Sequence, residues 1–214
     1  MEKEIQTGKG LYKYKEQHFQ NGMKKINRDI AKQNLLDFKK ILDENNILFG
    51  LIYGTLLGAI RENNFIEHDE DTDVFILEED REKFLELLFL LKDEGFIVGR
   101  YSKSLLSLIR DGEYIDIYFF HKKNKNYREC EGYIIKSDFL ENLENYHFLG
   151  ESFKIPAHSE KLLVVLYGKD WKIPKENTPA SNYGLYLKIR FFIKNNFSLL
   201  FKMISQVKKR IMNV

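Results

Sequence analysis

Apolar residues recur at helical spacing over residues 23–45, where Ile26, Ile30, Leu35, Phe38, Ile41 and Leu42 alternate with lysines and Asn45-Asn46 closes the run. That spacing predicts an amphipathic helix with one face in a core. A short apolar run at 47–53 predicts a buried strand, Gly54 a sharp turn, and 55–62 a short helix that Thr55 can cap. Residues 73–77 read as a strand, and 79–94 as a helix with Phe84, Leu87, Leu88 and Leu91 inward and Gly95 as its stop. Strands at 96–101 and 105–110 lead to Asp111-Gly112, a strong hairpin signal, and then to a strand at 113–120. Residues 121–128 are a basic, Asn-rich hairpin tip, 133–135 a further short strand, 146–155 a hairpin broken at Gly150, and 158–167 a helix. Trp171 is expected to pack back on the core, and the polar residues 1–22 to form an irregular arm. Interspersed strands and helices of this kind predict an α/β (α+β) protein, a mixed sheet flanked by helices.

Composition changes this picture little. Hydrophobic content of 43%, with 17 Phe and 12 Tyr among 214 residues, suits one packed domain. The single cysteine, Cys130, excludes an intramolecular disulfide framework, and no Cys/His metal spacing appears. The first ten residues lack the apolar stretch of a cleaved signal, and no run of 18 apolar residues predicts a transmembrane helix.

Charge patterning changes it more. Asp69, Glu70, Asp71 and Asp73 fall within five positions and run straight into Val74-Phe75-Ile76-Leu77. Residues two apart on a strand share a face, so Asp71 and Asp73 are expected to present carboxylates about 7 Å apart. Asp116 stands alone among β-formers in the strand at 113–120. A lone acid there is costly to bury unless it faces water, pairs with an Arg or meets a cation. Together the three suit Mg²⁺, or Mn²⁺ in its place, which takes one or two carboxylates and completes its shell with water and phosphate oxygens. The free N–H groups at Gly54-Thr55 are a candidate phosphate site, and Arg61 a candidate partner for the acids or a phosphate. Tyr101, Tyr114, Tyr118 and Trp171 are candidate cation–π partners for a quaternary ammonium, with core packing as the competing explanation.

These residues carry a resemblance. Gly54-Thr55, then Asp71-Thr72-Asp73, then Ile115-Asp116-Ile117 resemble the nucleotidyltransferase-fold signature. More narrowly, YGTLLGAIR at 53–61, FIEHDEDTDV at 65–74 and YGKDWKIP at 167–174 resemble the LicD phosphotransferases, to which fukutin-related proteins belong. The chain departs from that pattern at Ile66-Glu67-His68, Glu70 and Thr72, outside the Asp71 and Asp73 pair. The resemblance implies Mg²⁺ held by Asp71, Asp73 and Asp116, a CDP-alcohol donor, typically CDP-choline, and a glycan hydroxyl as acceptor. An in-line attack would then release a nucleoside monophosphate, with Asp69 or a metal-bound acid taking the acceptor proton. Two other classes remain open. One is a nucleotidyltransferase that places NMP on a small molecule or protein, and the other a non-catalytic membrane-associated module.

Beyond Glu176 there are seven basic residues and no acid: Lys188, Arg190, Lys194, Lys202, Lys208, Lys209 and Arg210. The chain total of +2 therefore leaves −5 for residues 1–176. Large apolar residues such as Phe191, Phe192, Phe197 and Phe201 are interleaved with those bases. The expectation is a basic amphipathic helix at 177–214 beside a catalytic domain at 23–176. It would hold a cytoplasmic enzyme on the inner face of an anionic membrane, where a lipid-linked glycan waits. A helix packed on the domain is the alternative. No nucleic-acid motif is present.

Overall fold

The computed structural model describes residues 2–17 and 25–174, which belong to one compact unit, Met1–Lys175. The expected helix at 177–214 lies outside the described residues.

The chain starts with a hairpin, β1 (Glu2–Thr7) and β2 (Gly10–Lys15). This corrects the irregular arm expected over residues 1–22. Ile5, Tyr12 and Tyr14 alternate inward and join the core, and Tyr12 meets Phe89 edge-on at 5.4 Å. The polar composition hid a strand pair because only one side of it is buried.

Helix α1 (Arg28–Glu44) starts later than expected, with the Asn27 side chain accepting from the N–H groups of Asp29 and Ile30. Strand β3 shrinks to Gly50–Leu51 and leads into α2 (Tyr53–Glu62). Strand β4 (Thr72–Leu77) follows the acids. The helix expected at 79–94 is a 3-10 turn followed by α3 (Arg81–Leu85) and α4 (Leu88–Asp93). Then come β5 (Ile97–Tyr101), β6 (Leu105–Arg110) and β7 (Glu113–Asn124), with Asp111 and Gly112 both at positive φ between the last two. Such φ values are what a two-residue hairpin turn demands of an Asp-Gly pair. The basic stretch at 121–128 is largely strand, because β7 runs on and pairs with β8 (Tyr127–Cys130). The described residues finish with β9 (Tyr133–Lys136), α5 (Ser137–Glu141), the hairpin β10 (Leu143–Phe148) and β11 (Glu151–Pro156), and α6 (Ser159–Tyr167).

The central sheet is mixed. Its order is β3-β4-β7-β6-β5, with β8 on the far half of β7 and β9 beyond it. Only β4 and β7 run parallel, in a register that sets Asp73 beside Asp116 and Phe75 beside Tyr118. Side chains alternate across a sheet, so the two faces have different work. One is dry: Phe38 and Phe84 pack with Phe96 and Phe119. Asn34 of α1 donates to the Arg110 carbonyl on the same side. The other carries Asp73, Asp116 and Tyr118 and receives the first turn of α2. Trp171 is buried, as expected, and its carbonyl accepts from Arg61.

Candidate active site

The site forms where α2 meets the start of β4. Asp73 is buried and bound to α2 twice: the Gly54 N–H donates to its Oδ2 at 2.9 Å, and its own N–H donates to Thr55 Oγ1 at 2.8 Å. Thr55 is therefore no cap. The helix starts two residues earlier, with Ile52 at the cap position and Tyr53 at φ 45°. A left-handed φ is uncommon for a residue of this size and costs energy. Gly54 has a different reason to be glycine. A Cβ there would stand 2.1 Å from Asp69 Oδ2 and 3.1 Å from Asp73 Oδ2, so the absent side chain makes room for two carboxylates.

Asp69 and Asp71 arrive from the loop before β4. The Ile26 N–H donates to the Asp69 carbonyl at 2.8 Å, which ties that loop to the chain two residues before α1. Carboxylate oxygens of Asp69, Asp71 and Asp73 lie within 4.8 Å of one another. This is tighter than the 7 Å expected for two acids on one strand. Asp71 precedes β4 in a bend and is not held to strand geometry.

Burial raises all three acids, and neighbouring carboxylates raise each further. Asp69 is pushed up to about 6, by burial first and then by the charges of Glu70 and Glu62, against the bond from the Glu70 N–H. Asp71 is raised well above the carboxylate range by burial and by Asp116, Asp69 and Glu70. Asp73 is raised likewise by burial, Asp71, Asp69 and Asp116, with the Gly54 N–H opposing. Three such oxygens, so close and so costly to ionise together, are a donor set consistent with a divalent cation.

Asp116 faces this cluster from β7, but its carboxylate is engaged. Ser107 donates to Oδ1, and Arg100 Nη2 donates to Oδ2 at 2.7 Å. Burial raises its pKa and these two partners oppose the rise. Thus Asp69 stands in the close set where the sequence placed Asp116. Arg100 was not anticipated at all, since strand alternation assigns it to the dry face. A bulge between Val98 and Arg100 changes that: Val98 pairs with Leu108, and Arg100 with Ser107, its immediate neighbour. One extra residue reverses the parity and turns Arg100 towards Asp116.

Arg61 is not brought to the acids. Its guanidinium donates to Glu62 and to the Trp171 carbonyl. The four aromatic candidates do not converge either. Tyr101 lies on the dry side, where its hydroxyl accepts from Arg81, and Trp171 is buried beside Lys172. A different aromatic group stands beside the acids. The Tyr53 ring lies 4.8 Å from that of Tyr118 and 5.6 Å from that of Tyr133. Burial first, and the Asp73 charge with it, drives the phenols of Tyr53, Tyr118 and Tyr167 far above their usual range.

Comparison with known proteins places this arrangement. The chain is 33% identical over 95 residues to an uncharacterized protein of Rickettsia typhi, covering 44% of this chain and 30% of that one. It is 27% identical over 180 residues to one of Rickettsia prowazekii, covering 83% and 62%. It therefore spans less than two thirds of the length of either relative. Among solved structures, a lincosamide antibiotic adenylyltransferase with lincomycin bound aligns with 61% of this chain and 83% of its own, at 14% identity and a TM-score of 0.45. ANT(2″)-Ia in complex with adenylyl-2″-tobramycin aligns with 71% and 83%, at 14% and 0.48. A family model described as LicD/FKTN/FKRP, nucleotidyltransferase domain, matches residues 46–158, more than half of the chain and every residue of the acidic site.

Proposed function

We propose a reaction from the premise that the chain belongs to the LicD/FKTN/FKRP nucleotidyltransferase-domain family: transfer of a phospho-alcohol group, of the phosphocholine type, from a CDP-activated donor to a hydroxyl of a cell-surface glycan. The observation that carries it is the meeting of three carboxylates within 4.8 Å against the first turn of α2. All the donors are hard oxygens, which fits Mg²⁺, with Mn²⁺ as a substitute. Asp71 and Asp73 would hold the ion with Asp69, and Asp116 would act from the neighbouring strand. When bound, the ion offsets negative charge on a phosphoryl group in transfer.

The chain's own residues supply the rest. Gly54 and Thr55 fix the Asp73 backbone and carboxylate, so the group is oriented before substrate arrives. The acceptor oxygen bonds to the outer phosphorus, the bond from that phosphorus to the CMP oxygen breaks, and CMP leaves. Asp69 or another carboxylate of the cluster would take the hydroxyl proton. The π faces of Tyr53, Tyr118 and Tyr133 support a cationic alcohol such as choline beside the acids. The basic tail, read from composition, supports attachment to the inner face of an anionic membrane and a lipid-linked acceptor.

The test is a donor screen with purified protein and Mg²⁺, in which CDP-alcohols, CDP-sugars and NTPs are paired with candidate glycans. CMP release from a CDP-alcohol is the expected result. Pyrophosphate release would replace this reaction with nucleotidyl transfer, and no metal-dependent turnover of any donor would remove the enzymatic reading.

A further inference from the structure

We infer that Arg28 is a phosphate-binding residue of this site, its guanidinium taking a phosphate group of the substrate on the Asp69 side of the acids. The inference rests on the reading above that a phosphorylated substrate enters there.

Three observations carry it. The first is position. Arg28 opens α1, and the two residues before it are tied to the site. The Ile26 N–H donates to the Asp69 carbonyl at 2.8 Å, and the Asn27 N–H to Glu113 Oε1 at 3.1 Å, three residues before Asp116. Arg28 Nη2 itself lies 3.9 Å from Oε2 of Glu62, the acid whose charge helps to raise Asp69. The second is an idle fork. Among the described residues, Arg61, Arg81, Arg100, Arg110 and Arg128 each donate hydrogen bonds from the guanidinium. Arg28 donates none, because 3.9 Å is too long, and Glu62 Oε1 is already held twice by Arg61. Its Nε is covered and without a partner, whereas Nη1 and Nη2, equally without a hydrogen bond, are not covered. The guanidinium is thus closed at its base and open at its end. Two Nη groups in one plane match two oxygens of one phosphate, which a lysine ammonium does not do.

The third observation is charge. A phosphate approaching Asp69, Asp71 and Asp73 meets like charges. On the Asp71 side the opposing cation is Arg100, which already serves Ser107 and Asp116. On the Asp69 side stand Glu70 and Glu62, and Arg28 is the arginine there whose hydrogen-bonding capacity is unspent. A cation in place beforehand offsets the repulsion without reorganisation as the anion arrives. The donor's diphosphate and a phosphorylated acceptor glycan offer the same oxygens, so each needs its own probe.

Two accounts compete: Arg28 only shields Glu62, or it only steadies the start of α1 and with it Asp69. Binding to the full chain, with Mg²⁺ present, would be measured by calorimetry for two probes, CDP for the donor's diphosphate and glucose 1-phosphate for a phosphorylated sugar. Arg28→Gln should weaken at least one of them roughly ten- to a hundredfold, the effect of a lost charge-assisted hydrogen bond, and the probe affected names the source. The loss should persist on a Glu62→Gln background, because an effect routed through Glu62 vanishes once Glu62 is changed. Mn²⁺ affinity, read by electron paramagnetic resonance, should not change in Arg28→Gln. The inference is overturned if neither probe is weakened or if the full chain binds neither. A loss that disappears on Glu62→Gln, or a matching loss of Mn²⁺ affinity, overturns it too. CDP-choline turnover, followed in parallel, judges the donor separately: a phosphate held through Arg28 without turnover of any CDP-alcohol keeps the residue's role and removes the donor. If circular dichroism shows Arg28→Gln to be unfolded, Arg28→Lys takes its place. It keeps the charge without the fork, and the same outcomes decide.

Discussion

Asp73 costs stability in the metal-free protein, because it is buried against two carboxylates of like charge. Asp73→Asn keeps the shape and can still accept from the Gly54 N–H. It should raise the thermal midpoint without metal, abolish the Mg²⁺-induced rise, and lower turnover by several orders of magnitude. Calorimetric scans with and without Mg²⁺, beside an activity assay, check all three. The pH dependence has a definite sign. Asp69 is raised from 3.8 to about 6, so the folded state holds that proton more tightly than the unfolded chain. Its contribution, on the order of 1–3 kcal/mol, is full below the unfolded value and lost as pH rises through about 6. Metal-free protein should therefore melt lower at pH 7.5 than at pH 5, and Mg²⁺ should stabilise it more at pH 7.5. Gly54→Ala pushes a methyl into the space of Asp69 Oδ2. It should weaken Mg²⁺ binding at least tenfold, measurable by titration, a loss of about 1.4 kcal/mol or more. At this scale much of the site is legible in the sequence: two acids one residue apart before an apolar run announce themselves. Thr55 was misread because the helix begins at a left-handed Tyr53, a conformation no propensity anticipates. Asp69 entered the close set through a backbone bond from Ile26, a long-range contact that no local pattern records.

Elements that were legible are those with a full period to display. Helix α1 has an apolar stripe of several turns, and the Asp111-Gly112 turn carries its own chemistry. Helix α5 spans five residues, too few for a periodic signal, and the helix expected at 79–94 breaks into three short pieces. The β1–β2 hairpin was hidden by its polar outer face, and it has a measurable consequence. Tyr12 is almost fully buried and packs edge-on against Phe89. Tyr12→Ala should cost about 3–5 kcal/mol by denaturant unfolding, like other large aromatic truncations in cores. A loose arm would give no change.

For the whole molecule the governing feature is charge segregation. Residues 1–176 carry −5 and the remaining stretch +7, since it holds seven bases and no acid. Each base near an anionic surface contributes about 1 kcal/mol, and salt weakens the sum. Truncation after Glu176 should release the protein from anionic liposomes in a flotation assay while sparing turnover of a soluble donor. Equal flotation of both forms would take the tail out of the contact. Among the described residues no helix is long and apolar enough to cross a membrane. The mixed sheet itself was anticipated, because its strands are short, apolar and separated by strong turn signals. Its division into a dry face and an acidic face follows from register, which composition does not encode.

The bulge at β5 also bears on how relatives should be aligned. The parity of Arg100 depends on one inserted residue, Gly99, so a gap is informative there and an identity can mislead. In a homologue lacking the insertion, the residue directly after the Val98 counterpart stands opposite the Ser107 counterpart, so an arginine that falls in the Gly99 column of an ungapped alignment would hold the approach to Asp116. A strand one residue shorter can therefore keep this arginine with no bulge at all, and conservation scored column by column without a gap would miss it.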